Sequence, residues 1–125
     1  MVIELCLFLQ KTIRMRKLVI FDLDGTLLYT LEDLMNSVNF SLDLFGYETK
    51  TLEEISSFVG NGVEHLMRRA LPNDISEDVF KNCYACFKDH YSKHCCEKTR
   101  PYDGILDTLK ILKSRGVKKH VLTME

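Results

Sequence analysis

The chain has 125 residues, enough for about one ordinary domain, of which 46% are hydrophobic and 28% charged. With only two prolines and six glycines, this composition excludes a disordered, collagen-like or low-complexity chain. Seventeen Lys and Arg against eighteen Asp and Glu give a net charge of −1, without the basic excess that nucleic-acid binding normally requires. We therefore expect a soluble globular protein that binds neither nucleic acid nor membrane.

The N-terminal residues look apolar but do not predict a targeting or membrane segment. The first nine are apolar except for Glu4, whereas a membrane-spanning helix needs about 20 residues. Basic residues follow this run, which is the reverse of their order in a signal peptide. We expect residues 1–14 to be an N-terminal extension. A start at Met15, directly before the first predicted strand, is an equally open alternative.

Five cysteines, an odd number, argue against a complete disulfide framework and favour a cytoplasmic protein. Several of them resemble zinc ligands together with nearby histidines: Cys83, Cys86, His90, His94, Cys95 and Cys96. On one predicted helix, the first four of these side chains would spread over roughly 16 Å. The ligands of one zinc ion lie only about 2.0–2.3 Å from it. We therefore expect a cysteine-rich helix without a zinc site.

The hydrophobic pattern predicts a strand, five helices and a second strand, in that order. The apolar run from Leu18 to Phe21 is typical of a strand buried on both faces of a parallel sheet. The last strand is predicted over residues 117–123. The helices are predicted to begin after five residues: Thr30, Thr51, Gly62, Ser76 and Gly104. This order indicates an α/β fold.

Two of these helices have the spacing of a capping box, in which the first side chain and an acid three residues later bond each other's backbone. The pairs are Thr30 with Asp33 and Thr51 with Glu54. Gly46 is predicted to end the first of the two helices.

The residues that can carry chemistry follow the first strand as Asp22-Leu23-Asp24-Gly25-Thr26. Two carboxylates at positions i and i+2 begin on the same side of a strand, at the end where open α/β sheets bind ligands. Acids so close repel each other, and a hard cation such as Mg²⁺ relieves the repulsion through oxygen ligation. Gly25 permits a sharp turn, and Thr26 adds a hydroxyl beside the acids. The motif therefore predicts a Mg²⁺ site at Asp22 and Asp24.

The segment from Phe21 to Leu27 resembles motif I of the haloacid dehalogenase-like (HAD) hydrolases. The resemblance implies that Asp22 is the nucleophile and accepts a phosphoryl group as an aspartyl-phosphate. It implies that Asp24 is first the general acid and then the general base, and that Mg²⁺ contacts both residues. Thr26, and Thr123 after the second strand, would bind the phosphate.

Further segments resemble the helical cap of the phosphoglycolate phosphatases within this family, namely residues 33–34 with 38–39, 58–62 and 69–72. Residues 99–105 resemble the stretch that re-enters the core. The resemblance implies a partial Rossmann-like core of residues 15–30 and 99–125 with an inserted helical cap of residues 31–98. The loop Gly60-Asn61-Gly62 would face the substrate.

The chain also departs from the family pattern. Tyr29 stands where members usually carry an acid, and Met124 follows Thr123 where they usually have Asn. The family's lysine and second acidic pair do not occur within the 125 residues. Lys118 and Lys119 cannot replace that lysine, because they precede Thr123 by about 13–16 Å of strand. The chain thus looks like an N-terminal half, and we expect it to be inactive alone.

The sequence therefore predicts a Mg²⁺-dependent phosphomonoester hydrolase that acts on a small phosphorylated metabolite. A phosphosugar mutase or pyrophosphatase of the same superfamily is an alternative with the same fold. A non-catalytic interaction module and a truncated gene model are alternatives of a different kind.

Overall fold

The structure, a computed structural model, describes residues 18–122. Both alternative starts, the N-terminal extension and Thr123 lie outside this range. The elements within it are β1 (Leu18–Asp22), β2 (Leu28–Tyr29), α1 (Leu31–Leu44), α2 (Leu52–Phe58), α3 (Val63–Ala70), α4 (Glu77–His94), β3 (Arg100–Pro101), α5 (Ile105–Ser114) and β4 (Lys118–Leu122). They form two compact units: a sheet unit of residues 18–29 and 100–122, and a helical unit of residues 30–99.

The sheet unit is built on a parallel pair of strands, as the sequence predicts. β1 pairs with β4 so that Leu18 lies opposite Lys118 and Asp22 opposite Leu122. Helix α5 forms the crossover that parallel neighbours require. The buried core between strands and helix consists of five residues: Phe21, Leu27, Ile105, Leu112 and Val117. The α/β fold with parallel core strands is confirmed.

The prediction that β1 is buried on both faces is wrong. Phe21 is 5% exposed, whereas Leu18 is 46% and Ile20 56% exposed. Side chains alternate between the two faces of a strand, so Val19 and Phe21 share the face that packs with α5, and Leu18, Ile20 and Asp22 share the other. Within residues 18–122 only one face of this strand pair is well covered.

The β1–β4 register confirms the prediction for the two lysines. Lys118 pairs with Leu18 and Lys119 with Val19, at the strand end opposite to Asp22. Lys118 precedes Leu122, the residue paired with Asp22, by four strand positions, which is a distance of about 13 Å.

A second strand pair, β2 with β3, is absent from the sequence prediction. Leu28 pairs with Pro101 and Tyr29 with Arg100 in antiparallel register. The predicted turn at residues 101–104 therefore begins one residue later, and the Ile105 amide donates to the Tyr102 carbonyl at 3.2 Å. Two residues are too few to show a strand period in a sequence.

The helical unit is held together mainly by α1 and α4, which pack along their lengths. Apolar residues at helical spacing on α1 meet the corresponding stripe on α4. The fully buried side chains of this core include Val38, Leu42, Ile55, Leu66, Met67, Cys83 and Phe87. No helix within residues 18–122 is long and apolar enough to cross a membrane.

Helix ends in this unit follow the predicted caps at three positions. The Glu54 amide donates to Thr51 Oγ1 at 3.2 Å and the Thr51 amide to Glu54 Oε2 at 2.8 Å, which is a complete capping box. The Val79 amide donates to Ser76 Oγ at 3.3 Å. Gly46, with φ +76°, follows the end of α1 as predicted.

The predicted capping box at the start of α1 is wrong. Thr30 occupies the N-cap position, but its side chain makes no capping hydrogen bond. Asp33 turns away from it into the interior, where it is 1% exposed. Its carboxylate accepts the backbone N–H groups of Lys98 and Thr99, at distances of 2.7 to 2.9 Å, and the Thr99 hydroxyl at 2.8 Å.

Cys83 and His90 of α4 make packing contacts. Cys83 is fully buried beside Ser41, whose hydroxyl donates to the Cys83 carbonyl at 2.6 Å. The His90 ring stacks between Phe40 and His94, at ring centroid distances of 4.1 and 4.2 Å. In the described part of the chain, no three or more His, Cys, Asp or Glu side chains converge as metal ligands.

Candidate active site

Residues 23–28 form a tight loop between β1 and β2 that is organised by one carbonyl group. The Leu23 carbonyl accepts the backbone N–H groups of Thr26 at 3.3 Å and of Leu27 and Leu28 at 3.0 Å each. Gly25 has φ +73°, a conformation that L side chains rarely adopt, and its amide donates to the Leu28 carbonyl at 2.9 Å. This hydrogen-bonded backbone holds the loop in one conformation.

Leu27 fixes the loop to the rest of the sheet unit, and a bridge within the loop closes it. The Leu27 side chain is buried in the core, and its carbonyl accepts the Tyr102 amide at 3.1 Å. Asp24 forms an isolated bridge with Leu28. The loop that carries the acids is therefore anchored at its base and at its far end.

Asp22 and Thr26 come together at the C-terminal end of β1. Asp22 is the last strand residue, its side chain is exposed, and its Oδ2 accepts the Thr26 hydroxyl at 3.3 Å. Asp24 is exposed two residues further along the same loop. A carboxylate on a rigid strand end, oriented by a neighbouring hydroxyl and open to solvent, is placed to attack an electrophile that approaches this edge.

The donor set in this loop fits Mg²⁺. Asp22 offers carboxylate oxygens and Asp24 a backbone carbonyl oxygen, and such oxygens are the ligands of a hard cation and not of a soft one. The residues described by the structure contain no cluster of three or more potential side-chain ligands. Mg²⁺ is commonly held by one or two carboxylates and keeps water and substrate phosphate oxygens for its remaining positions.

Tyr29 follows this loop and contacts a cation through its ring. The Arg100 guanidinium lies 4.5 Å from the Tyr29 ring centroid, and the Tyr102 ring meets Tyr29 edge-on at 6.0 Å. Tyr29 and Arg100 thus form a cation–π contact between β2 and β3. An acid at position 29 would instead be able to form a salt bridge with Arg100.

The loop Gly60-Asn61-Gly62 lies in the helical unit, between α2 and α3, and is exposed. Gly60 has φ +130° and Gly62 has φ +86°, so both positions favour glycine. At the other end of α3, the Arg69 guanidinium lies 5.2 Å from the ring centroid of Phe58, which precedes the loop. This contact ties α2 and α3 together across the loop.

The Asp33 carboxylate does not have the role that the sequence predicts. It was predicted to belong to the capping box of α1, but it binds Lys98 and Thr99 instead. Burial raises its pKa, but the hydrogen bonds from Lys98 and Thr99 outweigh burial and hold the pKa below the ordinary value. Asp33 lies in the first turn of α1, and Thr99 is the last residue of the helical unit. Asp33 therefore ties together the two chain ends at which this unit begins and finishes.

The family model of the haloacid dehalogenase-like hydrolases matches residues 19–125. The chain belongs to this family. It is 33% identical over 111 residues to a phosphoglycolate phosphatase of Thiobacillus denitrificans, covering 86% of this chain and 49% of the relative. It is 37% identical over 116 residues to phosphoglycolate phosphatase 1 of Pseudomonas aeruginosa, covering 88% of this chain and 42% of that protein.

Solved structures give the same fold. The crystal structure of a predicted phosphoglycolate phosphatase from Haemophilus somnus superposes with a TM-score of 0.81 at 32% identity, covering 86% of this chain and 51% of that one. The resemblance to HAD hydrolases, and the α/β fold with an inserted helical segment, are confirmed. The chain spans about half the length of the relatives it matches.

Proposed function

We propose that this chain supplies the nucleophile and the proton-transfer group of a phosphomonoester hydrolase that acts on phosphoglycolate or a similar small phosphorylated metabolite. The observation that carries the proposal is the exposed Asp22 carboxylate at the C-terminal end of β1, directly before the fixed loop that bears Asp24 and Thr26. Similarity to proteins named phosphoglycolate phosphatases supports the substrate class.

The reaction proceeds in two displacements at phosphorus. An Asp22 carboxylate oxygen attacks the phosphorus atom, the bond from phosphorus to the ester oxygen breaks, and Asp24 gives its proton to the leaving alkoxide. Asp24, now ionised, accepts a proton from water as the water oxygen attacks the phosphorus of the aspartyl-phosphate. Inorganic phosphate leaves, and the Asp22 carboxylate is restored.

The Asp22 carboxylate and the Asp24 backbone carbonyl would hold Mg²⁺ in this scheme. When bound, the ion neutralises the phosphate charge that faces two carboxylates. Thr26 orients Asp22 through the hydrogen bond of 3.3 Å, and its hydroxyl can turn to a phosphate oxygen. Thr123, which lies outside the described residues, is proposed to bind the phosphate on the resemblance of the chain to HAD hydrolases alone.

We assign the remaining parts by the same reasoning. Residues 15–30 and 99–125 form a partial catalytic core and residues 31–98 a cap, a division supported by the sheet unit and the helical unit. Gly60, Asn61 and Gly62 form a substrate loop, supported by their exposure and their place between two helices. The proposed location is the cytoplasm, supported by the odd number of cysteines.

We further propose that the 125-residue chain hydrolyses phosphomonoesters poorly when it is alone. Lys118 and Lys119 lie at the strand end away from Asp22, so neither can balance the phosphate charge. Removing one such stabilising group typically costs about 10²–10³ in rate.

The test is a chimera in which this chain replaces the matching half of the Thiobacillus denitrificans phosphatase. We expect Mg²⁺-dependent release of phosphate from phosphoglycolate by the chimera, and at least about 10²-fold less by the 125-residue chain alone. Asp22→Asn should abolish release by the chimera, because an amide cannot act as the nucleophile. Asp103→Asn is the matched control, since Asp103 is an exposed acid in the same unit.

Three results would count against the proposal. An Asp22→Asn chimera with near-normal turnover would exclude Asp22 as the nucleophile. Conversion of a phosphosugar into an isomer, without free phosphate, would identify a mutase. Binding of a partner protein by a chimera that turns over neither phosphomonoesters nor pyrophosphate would identify an interaction module.

A further inference from the structure

Cys95 and Cys96 form a vicinal thiol pair at the end of α4, and neither residue is assigned a role in hydrolysis. Cys95 is the C-cap residue of α4, and its Sγ lies 3.5 Å from Cys96 Sγ. Cys96 is exposed and Cys95 is half-buried. A small reagent in solvent can therefore reach two sulfur atoms that already lie side by side.

We propose that Cys95 and Cys96 form a binding site for trivalent organoarsenicals and similar soft electrophiles that need two sulfur ligands. Soft ions and metalloids prefer sulfur over oxygen donors. Two sulfurs bound to one pyramidal centre by bonds of about 2.3 Å, at an angle of about 90–110°, lie about 3.3–3.8 Å apart. The observed 3.5 Å is close to this separation, whereas a disulfide bond is only about 2.0 Å long. The pair needs little rearrangement to chelate such a centre.

A zinc ion fits this place poorly. Structural zinc takes four ligands, and the described residues contain no cluster of even three potential ones. The preceding side chain, His94, is already engaged, with its Nδ1 2.6 Å from Glu97 Oε1. A monosubstituted trivalent arsenical needs no third donor from the protein, so the two thiols suffice.

Peroxide sensing also fits this pair poorly. Sensor cysteines depend on a thiolate with a low pKa. Here the hydrogen bond with Cys96, followed by burial, raises the pKa of the Cys95 thiol. The C-terminal end of a helix disfavours a negative charge as well. Both observations favour a protonated Cys95 thiol.

The proposed reaction consumes two S–H groups and needs no preformed thiolate. With phenylarsine oxide, two As–S bonds form, the bonds between arsenic and oxygen break, and the two thiol protons leave with the oxygen as one water molecule. Arsenic stays trivalent, so no oxidant or reductant is needed.

The other described cysteines provide an internal control. Cys83 and Cys86 stand three residues apart on α4, a spacing at which side chains are neighbours. Cys83 is fully buried, however, and its Sγ lies 2.9 Å from Ser41 Oγ. In the folded chain this second pair presents only one accessible sulfur.

The experiment titrates the 125-residue chain with phenylarsine oxide and maps the adduct by mass spectrometry of proteolytic fragments. We expect one arsenical per chain, linked to Cys95 and Cys96, and released by an excess of a small dithiol. Cys96→Ser should weaken binding by at least about 10²-fold, because the second bond is no longer formed intramolecularly. Cys83→Ser and Cys6→Ser should bind like the unmodified chain.

Denaturation of the unmodified chain provides a second test, which needs no variant. In concentrated urea the Cys83–Cys86 pair becomes accessible, so the adduct should divide between the two pairs, whereas in buffer it stays on Cys95 and Cys96. Wild-type affinity in Cys96→Ser, or an adduct on Cys83 and Cys86 in buffer, would overturn the proposal.

Discussion

Asp33 shows how a single residue can follow a local pattern and still serve a distant partner. Its place three residues after Thr30 matches a capping box, yet its carboxylate binds Lys98 and Thr99, some 65 positions away in sequence. Thr30 has an α-helical backbone conformation instead of the extended one that an N-cap usually has, so its hydroxyl makes no capping bond. The local spacing predicted the helix start correctly, and tertiary contacts decided the role of the side chain.

Asp33→Ala should destabilise the chain by about 2–3 kcal/mol, because it removes the charge-assisted hydrogen bonds that the buried carboxylate accepts from Lys98 and Thr99. Chemical denaturation followed by circular dichroism measures the change. Asp43→Ala, at an exposed position on the same helix, is the matched control and should change stability by less than about 0.5 kcal/mol. Equal effects of the two substitutions would contradict the assigned role of Asp33.

The Asp33 carboxylate should also make the free energy of unfolding depend on pH, in a direction that follows from its lowered pKa. The pKa of Asp33 is lower in the folded chain than in the unfolded one, so its stabilisation is complete above the unfolded pKa. It is lost as the pH falls through the folded pKa. The difference in unfolding free energy between the unmodified chain and Asp33→Asn should therefore be largest near neutral pH and shrink in acid. A difference that grows in acid would contradict this sign.

At the scale of elements, local signals predicted the helices and strands with few errors. Periodic apolar residues and the caps at Thr51 and Ser76 are encoded within a few residues, so they can be read from sequence. The β2–β3 pair could not be predicted, because two residues carry no period and the partners lie about 70 positions apart. The sequence also did not predict that one face of β1 is exposed, because elements elsewhere in the chain decide whether that face is covered.

The two Thr residues that precede helices allow a direct comparison of caps. Thr51→Ala should cost about 1 kcal/mol, because the hydroxyl accepts the Glu54 amide. Thr30→Ala should cost less than about 0.5 kcal/mol, since that side chain makes no cap bond. Urea denaturation of both variants measures the difference. A larger loss for Thr30→Ala would contradict the caps described here.

For the whole molecule, the two units differ in how much apolar surface they bury. The helical unit has a core of eleven buried residues, whereas the sheet unit has five. Four apolar side chains of the strand pair are 46–61% exposed: Leu18, Ile20, Val121 and Leu122. Exposed strand edges and apolar faces of this kind promote association between chains.

We therefore expect the 125-residue chain to self-associate as its concentration rises, measured by sedimentation velocity. Ile20→Thr should shift the association midpoint to a higher concentration, because it replaces an exposed apolar strand residue by a polar one that suits strands. Leu44→Thr is the control, since Leu44 is 65% exposed but belongs to the helical unit. A chain that stays monomeric throughout, or an equal effect of Leu44→Thr, would contradict the prediction.

Of the candidate site, the sequence predicted the two acids and the hydroxyl that the structure places around one loop. It could not show that Leu23 organises that loop, because carbonyl hydrogen bonds depend on backbone geometry. The role of Thr123 and the substrate role of the Gly60-Asn61-Gly62 loop remain predictions. Both depend on a bound phosphate and on residues that this chain alone does not define.

The most direct test of the central claim is to locate the phosphoryl group. The chimera with Asp24→Asn is incubated with 4-nitrophenyl phosphate, whose leaving group needs no proton, so the aspartyl-phosphate forms but lacks the base for its hydrolysis. Borohydride reduction followed by peptide mapping then marks the phosphorylated side chain. We predict a modification at Asp22 alone, absent when Asp22→Asn is added. A modification at another residue, or none while 4-nitrophenol is still released, would contradict the account.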